Sequence, residues 1–586
     1  MGQFVNDVSS CVTETLEGLA LASFGNLVLV RDKNIILINP QKRVNRGNVA
    51  IVCGGGSGHE PAHSSFVNHE MLSAAICGDV FASPSVGTIV DGVRTLVSKG
   101  DTPPKAILLI IKNYTGDKIN FGMASEILSS EGIVLRKLIV ADDVSLPEIK
   151  DRRGVAGTVL VYKIAGAFAS QQQNNSNIKR QLSEVYDVAE KVSRNIHSIG
   201  CALSSCHKPD GSMIFTLPEG EMEIGVGIHG ERGVLRTEIL PSDEIVTILI
   251  DKILAAKQIH EAENSSSKKM VLLTNNLGSV SGLEMGIIHR KAITYLKEKG
   301  YEVSRAYCGT FMTCLDMRGI SLSLLSVVDN EFLELLDVGG AGFSRTNWRP
   351  DSDYSPSSSS IFIDAHKSPD SDIDTDKSMV DETVDQEFMN IIEKVCQTGV
   401  DARDALNRLD GECGDGDAGD TLSTACNAIL GNLYYFSVND VNLAFRRIAR
   451  CLTNAVGGTS GPLYAVFFIR AAAAFCSSTD TKGWKSSANW ADAIQNGISG
   501  IEELGGCSRG DRTLLDALYP VYDVLKNRSV EGKVGMTALL QAAKDGAENT
   551  CNLEAHAGRA RYVEGKGVGK VDPGAFAVYL LLKTLE

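Results

Sequence analysis

Leu409-Asp410-Gly411-Glu412-Cys413-Gly414-Asp415-Gly416-Asp417-Ala418-Gly419-Asp420-Thr421 puts four aspartates, one glutamate and four glycines into thirteen residues. Like charges this close repel unless something positive neutralises them. The glycines let the backbone turn and approach a ligand closely. Upstream, Ala402, Ala405, Leu406 and Leu409 recur at helical spacing; downstream, Leu422, Ala425, Ile429 and Leu433 do the same. The spacing predicts a tight acidic loop between two helices, ending at a helix N-terminus whose free N–H groups favour phosphate. Asp410, Asp415 and Asp417 would offer hard oxygens to Mg²⁺, which binds through few carboxylates plus substrate phosphates. A solvated acidic turn is the plain alternative. A calcium loop is another, but Gly419 is misplaced and Cys426 stands where the bidentate Glu belongs.

Outward from this loop, helical periodicity runs nearly unbroken from about Glu387 to the end of the chain. Residues 386–586 therefore read as an all-α domain. Before them, Thr346 to Asp385 is dominated by Ser, Asp and Pro, with Ser357 to Ser360 in a row. Residues 341–385 are expected to be a disordered linker; forty residues of coil span about 35 Å root-mean-square. Residues 1–340 alternate short apolar runs with helical patterns. Val49-Ala50-Ile51-Val52, Ala106 to Ile111 and Met270 to Leu273 read as buried strands, each followed by a loop of small or polar residues. That is the pattern of an α/β domain with sites at strand C-terminal ends.

The 586 residues suggest two to four domains. A net charge of -15 argues against a nucleic-acid partner. No run of eighteen apolar residues is present, so no membrane span is expected. The N-terminus has no basic-then-apolar signal pattern, and Asn6 stands where myristoylation needs Ser or Thr. Fourteen cysteines include no CxxC pair. Buried reduced thiols in a cytoplasmic protein are the expectation.

Three further stretches carry chemistry. Gly54-Gly55-Gly56-Ser57-Gly58-His59-Glu60-Pro61 follows a strand but is not a dinucleotide fingerprint, because His59 occupies the third glycine position. Lys112-Asn113-Tyr114-Thr115-Gly116-Asp117 also lies just past a strand. Gly225-Val226-Gly227-Ile228-His229-Gly230-Glu231 sets a histidine among small residues, where its imidazole can face a cleft. A solitary histidine is more often a hydrogen-bonded structural residue.

Taken together, these three stretches and the acidic loop resemble the two-domain dihydroxyacetone kinases. The likeness continues through Gly457-Gly458-Thr459-Ser460-Gly461, Gly510 to Asp516, Ala557-Gly558-Arg559-Ala560 and Asp572-Pro573-Gly574. It departs at Asp151, before Arg152-Arg153-Gly154, and at Ser279, both positions where glycine is usual. The resemblance implies an N-terminal α/β kinase domain that holds a short ketose or aldose covalently. His229 matches the hemiaminal histidine, Asp117 the general base and His59 the group that assists adduct formation. Gly56, Ser57, Gly58 and Lys112 would line the pocket. It also implies a helical-barrel C-terminal domain for ATP, with Asp410, Asp415 and Asp417 on Mg²⁺. Ala418, Gly419, Asp420, Thr421, Thr459, Ser460, Gly505, Arg512, Thr513, Leu514, Arg559, Asp572, Pro573 and Gly574, with Asp417, match nucleotide-contacting positions.

The same resemblance implies dihydroxyacetone and glyceraldehyde as substrates and a homodimer, with no nucleic acid or membrane partner. Relatives also carry an FAD-AMP lyase (cyclizing) activity, served by Mg²⁺, Mn²⁺ or Co²⁺, so FAD is a possible second substrate. A non-enzymatic regulator on the same scaffold is a third reading, which the presence of His59, Asp117, His229 and the loop aspartates disfavours.

Overall fold

Runs of aliphatic and β-branched residues set the strands of the N-terminal part. A computed structural model describes residues 4–585 apart from 43–46, 173–176, 262–266, 340–360, 367–385, 412–415, 434–439, 457–459, 476–484, 529–534 and 558–566. The chain forms two units, Met1–Lys367 and Ser368–Glu586. In the first unit, β1 (Leu27–Val30), β2 (Ile35–Ile38), β3 (Val49–Ser57), β4 (Ala74–Val80), β5 (Ala106–Lys112) and β6 (Val134–Val140) belong to one sheet. A second sheet takes β7 (Ile196–Ala202), β8 (Glu221–Ile224), β9 (Leu235–Glu238), β10 (Lys269–Asn276), β11 (Glu302–Gly309) and β12 (Gly319–Ser326). Their helices are α1 (Cys11–Ala22), α2 (Val86–Ser98), α3 (Thr115–Ser130), α4 (Thr158–Gln171), α5 (Ile178–Arg194), α6 (Ser242–Glu261), α7 (Gly282–Glu298) and α8 (Glu331–Asp337).

The first sheet runs β1-β2-β4-β3-β5-β6, with β4, β3, β5 and β6 parallel. Strand β5 is buried along its whole length, and both α3 and α5 pack on it. A parallel strand covered on both faces reads as a continuous apolar run rather than an alternation. The expected strand at Val49 continues through Gly54 to Ser57. The glycines are therefore strand residues, not a loop after it. Gly54 is required there, since a Cβ would lie 2.1 Å from the Ile76 carbonyl oxygen. The second sheet, β11-β10-β12-β7-β8-β9, is antiparallel except for β10 with β11. Asp142, just past β6, ties the sheets together: its carboxylate accepts from Val155 N, Gly157 N and Ser198 Oγ. Burial pushes that carboxyl up to about 6.

One expectation is corrected here. Residues 361–366 lie inside the stretch expected to be disordered, yet Phe362–Ile363 forms β13, parallel to β1 at the edge of the first sheet. Ile361 is buried in the core, and Arg31 pairs with Asp364 and stacks on Phe362. An apolar triplet in a polar stretch suffices when a sheet edge is open to receive it. The rest of the 341–385 expectation lies outside the described residues.

Among its described residues the second unit is helical, with no strand: α9 (Gln386–Asp401), α10 (Arg403–Gly411), α11 (Ala418–Gly431), α12 (Val441–Ala455), α13 (Ser460–Ala472), α14 (Ser487–Gly505), α15 (Leu515–Arg528), α16 (Met536–Asn549) and α17 (Pro573–Lys583). From α11 onward each helix packs on the next in sequence. Helix α17 returns to α9, which packs on α11, so the ring closes. No helix among the described residues is long and apolar enough to cross a membrane.

Candidate active site

His59 leaves the end of β3 in a turn, while His229 sits on the loop between β8 and β9. Their Nε2 atoms lie 3.2 Å apart. The His59 Nδ1 is 2.9 Å from the Thr313 carbonyl oxygen. A carbonyl only accepts, so this nitrogen carries the hydrogen and leaves an Nε2 lone pair facing His229. Burial, then the facing His229 and nearby Lys112, holds His59 well below the usual histidine range. The loop that supplies Thr313 is stitched to the glycine-rich turn: Thr313 N donates to the His59 carbonyl and Leu315 N to the Gly58 carbonyl. Rings of Tyr114 and Phe81 stand edge-on to His229, with centroids 4.3 and 5.5 Å away. Phe81 also stacks on His59, and a Cβ on Gly58, whose φ is +95°, would lie 2.9 Å from the Phe81 ring.

Asp117 lies in the first turn of α3, and Lys112 ends β5. Both are buried, with Lys112 Nζ 3.5 Å from Asp117 Oδ2. Among the described residues the Lys112 ammonium has no hydrogen-bond partner. A buried cation with donors unspent is costly unless a ligand supplies acceptors. Ser83 Oγ donates to Asp117 Oδ1. Gly55 gives this pair its space: a Cβ there would lie 2.4 Å from Lys112 Nζ and 3.1 Å from Asp117 Oδ2. Tyr114 links the two clusters, since Lys112 Nζ is 5.9 Å from the same ring that abuts His229.

The structure thus brings His59 to His229 and Lys112 to Asp117, with Gly56, Ser57 and Gly58 in the strand end and turn that lead to His59. Ser57 itself is spent on the Gly78 carbonyl. Sequence reasoning missed Ser83 and Thr313. Neither belongs to a recognisable motif, and Thr313 is 254 residues from the histidine it orients.

In the helical unit, the acidic loop does join α10 to α11. Asp410 is nearly buried, and its Oδ2 accepts the N–H groups of Asp417 and Ala418 at 2.9 and 3.1 Å. Asn407 Oδ1 takes the next two, from Gly419 and Asp420. The N-terminus of α11 is therefore already capped from within. Asp420 is exposed and paired with Arg403. The other Asp410 oxygen and the Asp417 side chain stand at the start of α11. Two hard oxygens beside a helix start fit a divalent ion that also binds phosphate. Asp415, Thr459 and Arg559 lie outside the described residues.

Arg512, Thr513, Leu514, Asp572, Pro573 and Gly574 fall into one cluster. Asp516 accepts from Gly510 N and Thr513 N, closing the loop before α15. Arg512 is fully buried; Nη2 donates to the Lys570 carbonyl and Nη1 lies 3.9 Å from Asp572 Oδ2. Its guanidinium thus braces the 510–516 loop against the start of α17. Asp572 caps that helix by accepting from Ala575 N, with Pro573 as its first residue. A Cβ on Gly574 would touch Leu514. Burial raises the Tyr464 phenol to about 12, with Cys426, Asp572 and Asp417 adding to the shift. Ser460 opens α13 and Gly505 ends α14.

Comparison with known proteins agrees with this division. The Dak1 domain family matches residues 17–340, and the DAK2 domain family residues 412–586. The chain is 35% identical to the triokinase/FMN cyclase of Mus musculus, over 100% of this chain and 98% of that one. It is 37% identical to a putative 3,4-dihydroxy-2-butanone kinase of Solanum lycopersicum, over 98% and 96%. Among solved structures it resembles the dihydroxyacetone kinase of C. freundii in complex with AMP-PNP and Mg²⁺. That match has 32% identity and a TM-score of 0.50, over 100% of this chain and 99% of that one.

Proposed function

The chain belongs to the dihydroxyacetone kinase family, and on that premise we propose that it transfers phosphate from Mg-ATP to dihydroxyacetone, and to glyceraldehyde, while the substrate carbonyl is tethered to His229. The observation that carries the tether is the 3.2 Å contact between two imidazole nitrogens. Nε2 of His229 adds its lone pair to the carbonyl carbon as the carbonyl π pair moves to oxygen. That oxygen takes a proton from solvent, relayed by the facing His59 Nε2. The product is a hemiaminal hydroxyl on an alkylated imidazolium, whose positive charge entered with that proton. A three-carbon substrate offers little surface for affinity, so a covalent hold fixes it for attack. Glycerol, with no carbonyl, is refused.

Asp117 then takes the proton of the substrate hydroxyl whose oxygen attacks the γ-phosphorus. Ser83 fixes the carboxylate, and Lys112 supplies the ammonium that a bound hydroxyl oxygen would satisfy. Asp410 and Asp417, with Asp415, would hold Mg²⁺, which when bound neutralises phosphate charge. The start of α11 and the 510–574 cluster would position the nucleotide.

A second reading is favoured by the name of the mouse relative: the same metal-phosphate site would cleave FAD to AMP and riboflavin cyclic 4′,5′-phosphate. The deciding experiment is a panel of dihydroxyacetone, glyceraldehyde, glycerol and FAD with Mg²⁺ or Mn²⁺. ADP should form with the two carbonyl substrates and not with glycerol. Equal ADP release with glycerol would sink the tethered mechanism.

A further inference from the structure

Histidine has two ring nitrogens, and the hydrogen bond made by one decides what the other can do. In His229 the nitrogen away from His59 faces Glu231. Nδ1 is 3.4 Å from Glu231 Oε1, and the His229 backbone N–H donates to Glu231 Oε2 at 2.9 Å. One carboxylate, two residues on, thus grips both the main chain and the ring. The grip needs room. A Cβ on Gly227 would lie 2.1 Å from Glu231 Oε2 and 2.8 Å from Arg153 Nη1. Glycine at 227 lets the carboxylate and the guanidinium share this space.

Arg153 is in turn held still. Its Nε donates to Asp143 Oδ2 at 2.7 Å, and its Nη2 to Ser145 Oγ and the Gly225 carbonyl at 3.0 and 2.7 Å. Burial alone would raise the Glu231 carboxyl, but His229 and Arg153 outweigh it and hold it at about 2. The carboxylate is ionised and can only accept, so the hydrogen must sit on His229 Nδ1. A neutral histidine in water favours the opposite tautomer, with the hydrogen on Nε2. Left to itself, the attacking nitrogen would be capped.

We propose that Glu231, backed by Arg153, is a positioning residue that keeps neutral His229 protonated on Nδ1, aims its Nε2 lone pair at the substrate carbonyl, and offsets the charge of the alkylated ring. The proposal rests on His229 being the tether. Glu231 touches neither substrate nor the forming C–N bond. A merely structural role, served by the backbone hydrogen bond alone, would leave the ring tautomer unchanged.

Ring-¹⁵N-histidine labelling of the full-length protein reads the tautomer directly, with the His229→Ala spectrum assigning the resonances. In the neutral limb of a pH titration, His229 should show hydrogen on Nδ1. Glu231→Ala and the near-isosteric Glu231→Gln should both move it toward Nε2–H. Both should cut the dihydroxyacetone adduct, measured by mass spectrometry, at least tenfold, while the midpoint of an AMP-PNP titration stays put. An unchanged ring signature in both variants overturns the proposal. A wild-type protein that forms no adduct would sink the tether instead, and the ring signature would still decide the role of Glu231.

Discussion

Although 170 residues separate them in the chain, His59 and His229 face each other through their Nε2 atoms at 3.2 Å. One comes from the first sheet and the other from the second, so neither sheet alone makes the pair. His229→Ala should abolish covalent retention of dihydroxyacetone and severely reduce turnover. Mass spectrometry under mild conditions that preserve a reversible adduct checks this. An adduct of unchanged yield in the variant would rule the assignment out.

Asp117 is ion-paired with the Lys112 ammonium and takes the Ser83 hydroxyl. Asp117→Asn keeps the shape and removes the proton acceptor. Adduct yield should survive while the chemical step slows by roughly 10²–10⁴, the usual worth of general-base catalysis. Ser83→Ala, which loses a hydrogen bond to a charged group, should cost about tenfold in kcat. Single-turnover kinetics at saturating ATP separates the two effects. Near-normal turnover of Asp117→Asn would make that carboxylate structural only.

The candidate catalytic side chains could be picked out because their motifs sit at strand ends: Lys112 ends β5, and His59 follows β3 by two residues. What supports them was not. Ser83 and Thr313 reach the site only because the topology folds distant loops together. Glu231 was quoted in its motif without a role, since an i, i+2 side-chain bond to a ring depends on loop geometry that no periodicity reports. The all-α character of the second unit followed from apolar spacing, and its closure into a barrel from the family resemblance. Strand β13 was hidden because three apolar residues weigh little against the serine and aspartate around them. Asp410 was legible as a metal candidate. Half of its carboxylate is spent on capping α11, which only the coordinates reveal.

His63 carries a pH dependence unrelated to catalysis. It is buried, its Nε2 has no hydrogen-bond partner among the described residues, and burial, with Lys112 adding, holds it well below its usual value of 6.5. His59 is held low in the same way. Below pH 6.5 the unfolded chain takes up protons that the folded one refuses, so stability falls as pH falls from there toward the folded values. Each such histidine contributes a slope of up to about 1.4 kcal/mol per pH unit. Thermal midpoints between pH 7.5 and 5 should drop on the acid side, and His63→Phe should make that drop shallower. A variant with the wild-type slope would show that His63 is protonated in the folded protein.

Asp417 and His229 should separate the two candidate activities. Asp417→Ala removes a carboxylate beside the start of α11, from a site that would serve any reaction at a pyrophosphate. It should disable ADP formation with dihydroxyacetone and any AMP release from FAD together. His229→Ala removes a group that acts only on a carbonyl, and FAD cleavage involves none. It should therefore abolish ketose phosphorylation and leave AMP release from FAD at the wild-type rate. Both products are measured for both variants under one set of metal conditions. If Asp417→Ala kept full ATP-dependent phosphorylation of dihydroxyacetone, the acidic loop would be a capped turn and not a metal site. If His229→Ala lost both activities together, the histidine would be holding the fold and not the substrate.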